Sequence, residues 1–204
     1  MRLHVLFPCI GIRSTLSLLL RARLHLPMEK GCMVSNFSVV LTSCLEKITR
    51  QMAQNDNVLR TKILKEINEE FHQGDKLNAA LDSEVLYELA RCFDEEDVTI
   101  RELASRAVIK VAGTEKGRYI LIEDELIPRV KELFDDEVVQ IRANGYLTMI
   151  NISEFTFGVD SIINFNIIPC LIDKLVDEKE PKILVLILTL LKILNEGELA
   201  PMVI

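Results

Sequence analysis

The chain has 204 residues, 49% of them hydrophobic and 27% charged, with a formal net charge of −7; this excludes a disordered chain and fits one domain or one short repeat array. Eight Phe, three Tyr and no Trp speak against an aromatic-cored β-sandwich, and eight Gly with six Pro are too few for a turn-rich all-β chain. Abundant Leu, Ile, Val, Lys and Glu suit stacked helices.

In chain order, residues 1–33 come first. They carry Arg2, Arg13, Arg21, Arg23 and Lys30 against Glu29 alone. Three readings stay open: an extension ahead of a start at Met28 or Met33, a mitochondrial address, or a secretory or anchoring segment. Arg13 splits the apolar stretch, so neither piece approaches the roughly 20 apolar residues of a spanning helix. This leader is read as lying outside the fold, which is taken as residues 34–204. The rest of the chain holds 19 basic and 30 acidic residues. An acidic body disfavours a broad basic face for nucleic acid. Proteins are therefore the expected partners, with no nucleic acid, membrane or small-molecule substrate.

A fixed period organises the chain beyond the leader. Arg60, Arg101 and Arg142 are spaced by 41 residues, as are Leu45 and Leu86, Asp94 and Asp135, Gly117 and Gly158, and the pairs Ile127-Pro128 and Ile168-Pro169. A period near 40 lies in the range of armadillo and HEAT repeats. Four units are expected, at about 43–82, 83–125, 126–166 and 167–204. Each reads as two longer helices joined by a polar turn. The first runs Leu45, Ile48 and Met52, a turn at 54–57, then Val58, Leu59, Ile63, Leu64 and Ile67. The second runs Val85, Leu86, Leu89 and Phe93, the acidic turn 94–97, then Val98, Ile100, Leu103, Ala104, Ala107, Val108 and Val111, with Gly113 as the stop. The third runs Ile127, Val130, Leu133 and Phe134, the turn 135–137, then Val138, Ile141, Tyr146, Leu147 and Ile150. The fourth runs Ile168, Leu171, Ile172, Leu175 and Val176, a turn at 177–181, then 183–194. A shorter amphipathic piece recurs in phase at 117–125 and 157–166. It makes the unit three-helical, so the expected fold is an all-α, right-handed superhelical solenoid of armadillo type.

The last helix, 183–194, is apolar nearly all round. Such a helix needs cover on more than one side, and terminal repeats normally carry a polar outer face. Either a further repeat or the chain's own tail is expected to supply that cover.

No pattern for catalysis emerges. The chain has no P-loop, G-x-S-x-G, H-E-x-x-H or Rossmann glycine fingerprint. Its acid clusters fall in turns, where carboxylates cap helices. Cys9, Cys32, Cys44, Cys92 and Cys170 show no C-x-x-C spacing, and His4, His25 and His72 are scattered. Reduced thiols are expected, with no metal, no cofactor and no enzyme activity. Arg60, Arg101 and Arg142 are read as a structural ladder paired with turn acids such as Asp94 and Asp135; the other reading is a clamp for a peptide carboxylate or phosphate.

In armadillo arrays the last helix of each unit lines the concave groove. Peptide-binding importins resemble this layout and repeat a Trp with an Asn four residues on. The matching pairs here are Lys65 and Glu69, Arg106 and Lys110, Leu147 and Asn151, and Leu188 and Lys192. Only Asn151 fits that pattern. These eight residues are the candidate protein-binding groove, locally basic and suited to an acidic helix or tail.

The run 98–127, VTIRELASRAVIKVAGTEKGRYILIEDELI, resembles the armadillo-repeat radial spoke head protein 14 family, with its Gly117-Arg118-Tyr119 passage the most telling part. Segments 43–71 and 171–201 are similar in layout to that family's repeats. The resemblance implies a structural component of the radial spoke in motile cilia and flagella, found in the cytoskeleton of the axoneme, with other spoke or axonemal proteins as partners. It brings no catalytic or cofactor residues.

Overall fold

The computed structural model describes Met52 and residues 56–70 and 83–198. The leader, the opening helix of the first unit and the tail beyond Glu198 lie outside the described residues. Within them are nine α-helices and no strand. They are α1 (Asn57–Glu70), α2 (Ser83–Arg91), α3 (Val98–Ala112), α4 (Glu115–Glu123), α5 (Ile127–Glu132), α6 (Val139–Ile152), α7 (Thr156–Asn164), α8 (Ile167–Asp177) and α9 (Pro181–Glu198). A single 3₁₀ turn extends α2 over Cys92–Asp94 and α5 over Leu133–Asp135.

The three-helix unit is seen twice in full, as α4–α5–α6 and as α7–α8–α9. The long helices α1, α3, α6 and α9 pack against one another in succession, and α3, α6 and α9 each carry their own second helix behind them. One continuous core runs through the stack from Met52 to Leu194. An acid places the start of most long helices. Asp97 Oδ1 accepts from Thr99 N at 2.8 Å, Asp136 Oδ1 from Val138 N at 2.8 Å, and Asp56 Oδ1 from Val58 N at 3.0 Å. For α3 and α1 this satisfies an amide that the first helical turn leaves open, whereas Val138 lies just ahead of α6. The carboxylate of Glu178 likewise accepts from the N–H groups of Lys179 and Glu180 in the turn ahead of α9, where Pro181 takes the first helical position.

The recurring glycines have a steric cause. A Cβ on Gly117 would stand 2.1 Å from the carbonyl oxygen of Val111, and one on Gly158 would stand 2.0 Å from that of Ile152. The short first helix of each unit rests its backbone on the end of the preceding long helix, and only glycine allows that approach. The junction to the next helix also repeats. Glu125 and Asn166, 41 residues apart, are both left-handed, with φ of 53° and 54°. Asn suits that conformation, whereas Glu does not.

Gly113 is the C-cap of α3, as expected, with a φ of −70°. Thr114 follows, its Oγ1 accepting from Gly117 N at 3.0 Å to open α4. Several sequence expectations need correction. Val58, Ile172 and Val176, expected in apolar stripes, are exposed. Conversely, Asn144, Gly145 and Thr148 lie in the buried face of α6, while Leu147 and Ile150 are only half-buried.

Gly117→Ala and Gly158→Ala should each lower unfolding free energy by about 2 kcal/mol or more, since backbone atoms must yield. Glu125→Asn should raise it by roughly 0.5–1 kcal/mol by relieving the left-handed strain. Urea denaturation followed by circular dichroism measures all three.

Candidate functional site: a charged ladder and the face of the long helices

Each of the three periodic arginines sits near the start of a long helix. Arg101 donates through Nε to Asp136 Oδ2 at 2.8 Å and through Nη2 to Glu137 Oε1 at 3.1 Å. Its Nη1 donates to the carbonyls of Glu95 and Glu96 in its own turn, at 2.9 and 3.1 Å. Arg142 copies this one repeat later. Its Nε and Nη2 donate to the two carboxylate oxygens of Glu178 at 2.9 and 3.1 Å, and its Nη1 to the carbonyls of Asp136 and Glu137. Arg60 pairs with Glu95 and donates to the carbonyl of Met52 at 2.8 Å. One guanidinium thus ties its own turn to the turn of the next unit, using the fork of donors that arginine alone offers.

The acids named from the sequence do not accept these arginines. Asp94 receives Arg129, which also donates to the carbonyl of Ala90 at 3.1 Å, and Asp135 receives Lys174. These form a second ladder between successive second helices. The reason is angular. Asp94 and Asp135 end 3₁₀ turns and point along the second-helix layer, whereas Glu95 and Asp136 follow in extended backbone beside the long helix.

The rungs alter the proton equilibria of their members. Hydrogen bonding to Asp136 raises the pKa of Arg101 above its ordinary value, against an opposing effect of burial. Burial works to raise the pKa of Glu178, but the N–H of Glu180, the guanidinium of Arg142 and the N–H of Lys179 together hold its carboxyl below the usual carboxylate range. Cys92 is buried behind Arg60, and burial pushes its thiol up to about 12, leaving it protonated and unreactive at neutral pH. Cys170 is half-buried and unbridged.

The eight candidate groove residues all lie on the long helices, but only some face open solvent. Lys65 and Glu69 are exposed on α1. Lys65 borders a cavity of about 410 Å³ together with Val58, Thr61, Lys62 and Asp97. Arg106 is exposed and pairs with Glu102 on its own helix. Lys110 donates to the carbonyl of Asn68 on α1, and Asn151 Nδ2 donates to the carbonyl of Ile109 on α3 at 3.3 Å. Both therefore help tie one long helix to the one before. Leu147 is half-buried. Leu188 is exposed, and Lys192 pairs with Glu196 at 3.8 Å.

The sequence reading missed a row of buried polar side chains on the same helices. Asn68 Nδ2 donates to the carbonyl of Leu103 at 2.8 Å. Asn144 Nδ2 donates to Ser105 Oγ at 2.9 Å, and Thr148 Oγ1 to the carbonyl of Asn144 at 2.8 Å. It also missed a second cavity of about 430 Å³ between α4 and α7, lined by Arg118, Tyr119, Ile122, Phe155 and Phe157 among others. There Arg118 pairs with Glu154 at 2.6 Å and stacks 4.4 Å above the Phe155 ring. Among the described residues, no group of His, Cys, Asp and Glu could hold a metal ion, and no helix is long and apolar enough to cross a membrane.

No known family model and no curated protein matches the chain. Solved structures do match in fold. A computationally designed armadillo repeat protein for modular peptide recognition superposes with a TM-score of 0.67 at 13% identity, covering 82% of this chain and 75% of its own. A designed armadillo repeat protein in complex with the peptide (KR)4 gives 0.65 at 12% identity, covering 79% and 75%. Another designed armadillo repeat protein gives 0.64 at 15% identity, covering 76% and 70%. At these identities the likeness speaks for fold alone, and the fold is that of the armadillo-repeat solenoid.

Glu178→Gln should lower stability at neutral pH by about 2 kcal/mol, the scale of a charge-assisted hydrogen bond. Because the folded pKa of Glu178 lies below its unfolded value, its contribution is present above about pH 4.3 and is lost as pH falls through the folded pKa. The gap between wild type and variant should therefore close in acid. Thermal melts at a series of pH values check this.

Proposed function

We propose that the chain is a non-enzymatic protein-interaction scaffold and that its place is the radial spoke of motile cilia and flagella. The carrying observation is where the polar side chains of the long helices are directed. Lys110 and Asn151, which a peptide groove would turn toward cargo, bind carbonyls of the neighbouring long helix. Arg106 and Lys192 are balanced by acids on their own helices. The row is built to hold repeats in register, which suits a rigid spacer that docks several proteins along its length. The absence of any catalytic motif from the sequence agrees with this. The spoke assignment rests on the resemblance of residues 98–127. Gly117 and Arg118 of that passage have physical work in it, one allowing the close approach to Val111 and the other reaching Glu154.

A second reading, a soluble armadillo adaptor that takes a peptide in its concave groove, is favoured by one feature. Lys62, Lys65 and Arg106 are exposed on α1 and α3 within an otherwise acidic body, a surface of opposite preference to that of a protein which binds (KR)4.

Tagged full-length chain in multiciliated cells separates the two. The scaffold reading expects signal along the axoneme that survives detergent extraction and is unchanged by the double substitution Lys65→Glu, Arg106→Glu. Diffuse signal, or axonemal signal abolished by those groove substitutions, would overturn it in favour of the adaptor.

A further inference from the structure

The first helices of the third and fourth units share one register. Gly117 of α4 rests on Val111 and Gly158 of α7 on Ile152, both at a spacing of 41, and the left-handed residues Glu125 and Asn166 keep the same spacing. At that register Thr114 corresponds to Phe155 and Lys116 to Phe157. Thr114 Oγ1 caps α4 through Gly117 N at 3.0 Å, whereas Phe155 stands at the N-cap of α7 and makes no side-chain cap. The fourth unit thus forgoes a stabilising hydrogen bond and an exposed cation, and sets two rings in their place. A departure of this kind from local preference is expected at a functional surface.

These rings meet one from α4. Tyr119 is 59% exposed, Phe157 53% and Phe155 37%, and all three line the cavity of about 430 Å³ between α4 and α7. Among the described residues four aromatic side chains are exposed, and only Tyr87 stands outside this groove. Its volume is that of a ligand site. Both walls come from successive units that touch one another. A further repeat beyond α9 would meet α7 on the side away from α4, so it would not cover this groove. The charges of the groove cancel. Arg118 is paired with Glu154 at 2.6 Å and already stacks on the Phe155 ring. An incoming cation meets Arg118 and Lys116, and an incoming anion meets Glu115 and Glu154. The groove therefore suits a neutral, apolar segment.

We infer that this groove binds a proline-rich segment of another protein, held in the polyproline II conformation. Aromatic-lined grooves seat that conformation, which is preformed and so costs little entropy to bind. The hydroxyl of Tyr119 selects it over an amphipathic helix. That hydroxyl has no hydrogen-bond partner among the described residues, and a ligand that covers the ring must supply an acceptor. A polyproline II backbone leaves its carbonyls unbonded, whereas a helix spends its carbonyls internally. Strand addition has no edge to use, since the described residues contain no strand. The occupant is not a segment of this chain. Its prolines are Pro8, Pro27, Pro128, Pro169, Pro181 and Pro201, and no two are three residues apart. Neither the chain's own ends nor a second copy therefore offers a Pro-x-x-Pro run. The groove lies on the first helices, apart from the face of the long helices, so the inference is independent of the spoke assignment.

Fluorescence anisotropy of labelled decaproline titrated with the full chain tests this, beside a glycine–serine peptide of equal length. Decaproline should bind saturably with a dissociation constant on the order of 100 μM, and the control should not. Phe157→Lys, which installs the residue found at the same place in α4, should weaken binding about tenfold or more. Tyr119→Phe, which removes only the hydroxyl, should weaken it roughly threefold. Tyr87→Phe, outside the groove, should change nothing. Circular dichroism checks that each variant folds; should Phe157→Lys not fold, the contrast between Tyr119→Phe and Tyr87→Phe carries the test. Decaproline that fails to bind up to about 1 mM, or binds no better than the control, would overturn the proposal and leave the groove to an amphipathic helix or to a segment of the chain itself. Binding left unchanged by either groove substitution in a folded variant would also overturn it, by placing the peptide elsewhere.

Discussion

The stack depends on one repeated electrostatic joint. An arginine near the head of a long helix reaches back to the carbonyls of its own turn and forward to a carboxylate of the next. In the central rung, Asp136 both accepts from Val138 N in the turn ahead of α6 and receives Arg101. The residue that shapes the turn leading into α6 therefore also decides which way the unit faces its predecessor. A well-packed apolar pair of similar volume could match such a largely buried ion pair in energy. It would not fix register, because apolar contact is non-directional, whereas a guanidinium fork accepts few geometries.

With the turns registered, the long helices can share polar groups that would otherwise be costly to bury. Asn68, Ser105 and Asn144 are buried on the contact faces of α1, α3 and α6, and amides or hydroxyls span the gap between neighbouring helices. A slip along the helix axis would separate these partners and leave polar atoms unpaired in the core. Ladder and buried row therefore reinforce each other on two sides of the same layer. The result is a stack in which each unit touches chiefly its neighbours.

Much of this was legible in the sequence, and the rest was not for definite reasons. The 41-residue spacing of Arg60, Arg101 and Arg142 marked the ladder because a repeated contact demands a repeated residue. Gly117 and Gly158 marked the close approach for the same reason. Which acid accepts each arginine was not legible: Asp94 and Glu95 are adjacent and chemically alike, and only the 3₁₀ turn decides which points where. The register of α9 was missed because its residues are aliphatic nearly all round, which erases the phase that an amphipathic stripe would reveal. Leu188 and Lys192 were matched to Leu147 and Asn151 by a constant period of 41, whereas the buried set Ile183, Ile187, Leu190 and Leu194 falls 42 residues after Ile141, Gly145, Thr148 and Ile152 of α6. Asn144 and Thr148 were passed over because polarity was taken as a sign of exposure.

A double-mutant cycle on Arg101 and Asp136 tests the central claim most directly. Arg101→Met keeps the aliphatic stem, and Asp136→Asn keeps a side-chain oxygen for Val138 N, so the cycle isolates the rung from packing and from the turn ahead of α6. A coupling energy of about 2 kcal/mol at neutral pH is expected if the rung sets the register. Additive effects of the two substitutions, with coupling near zero, would contradict it and leave the apolar core alone to set the register of the stack.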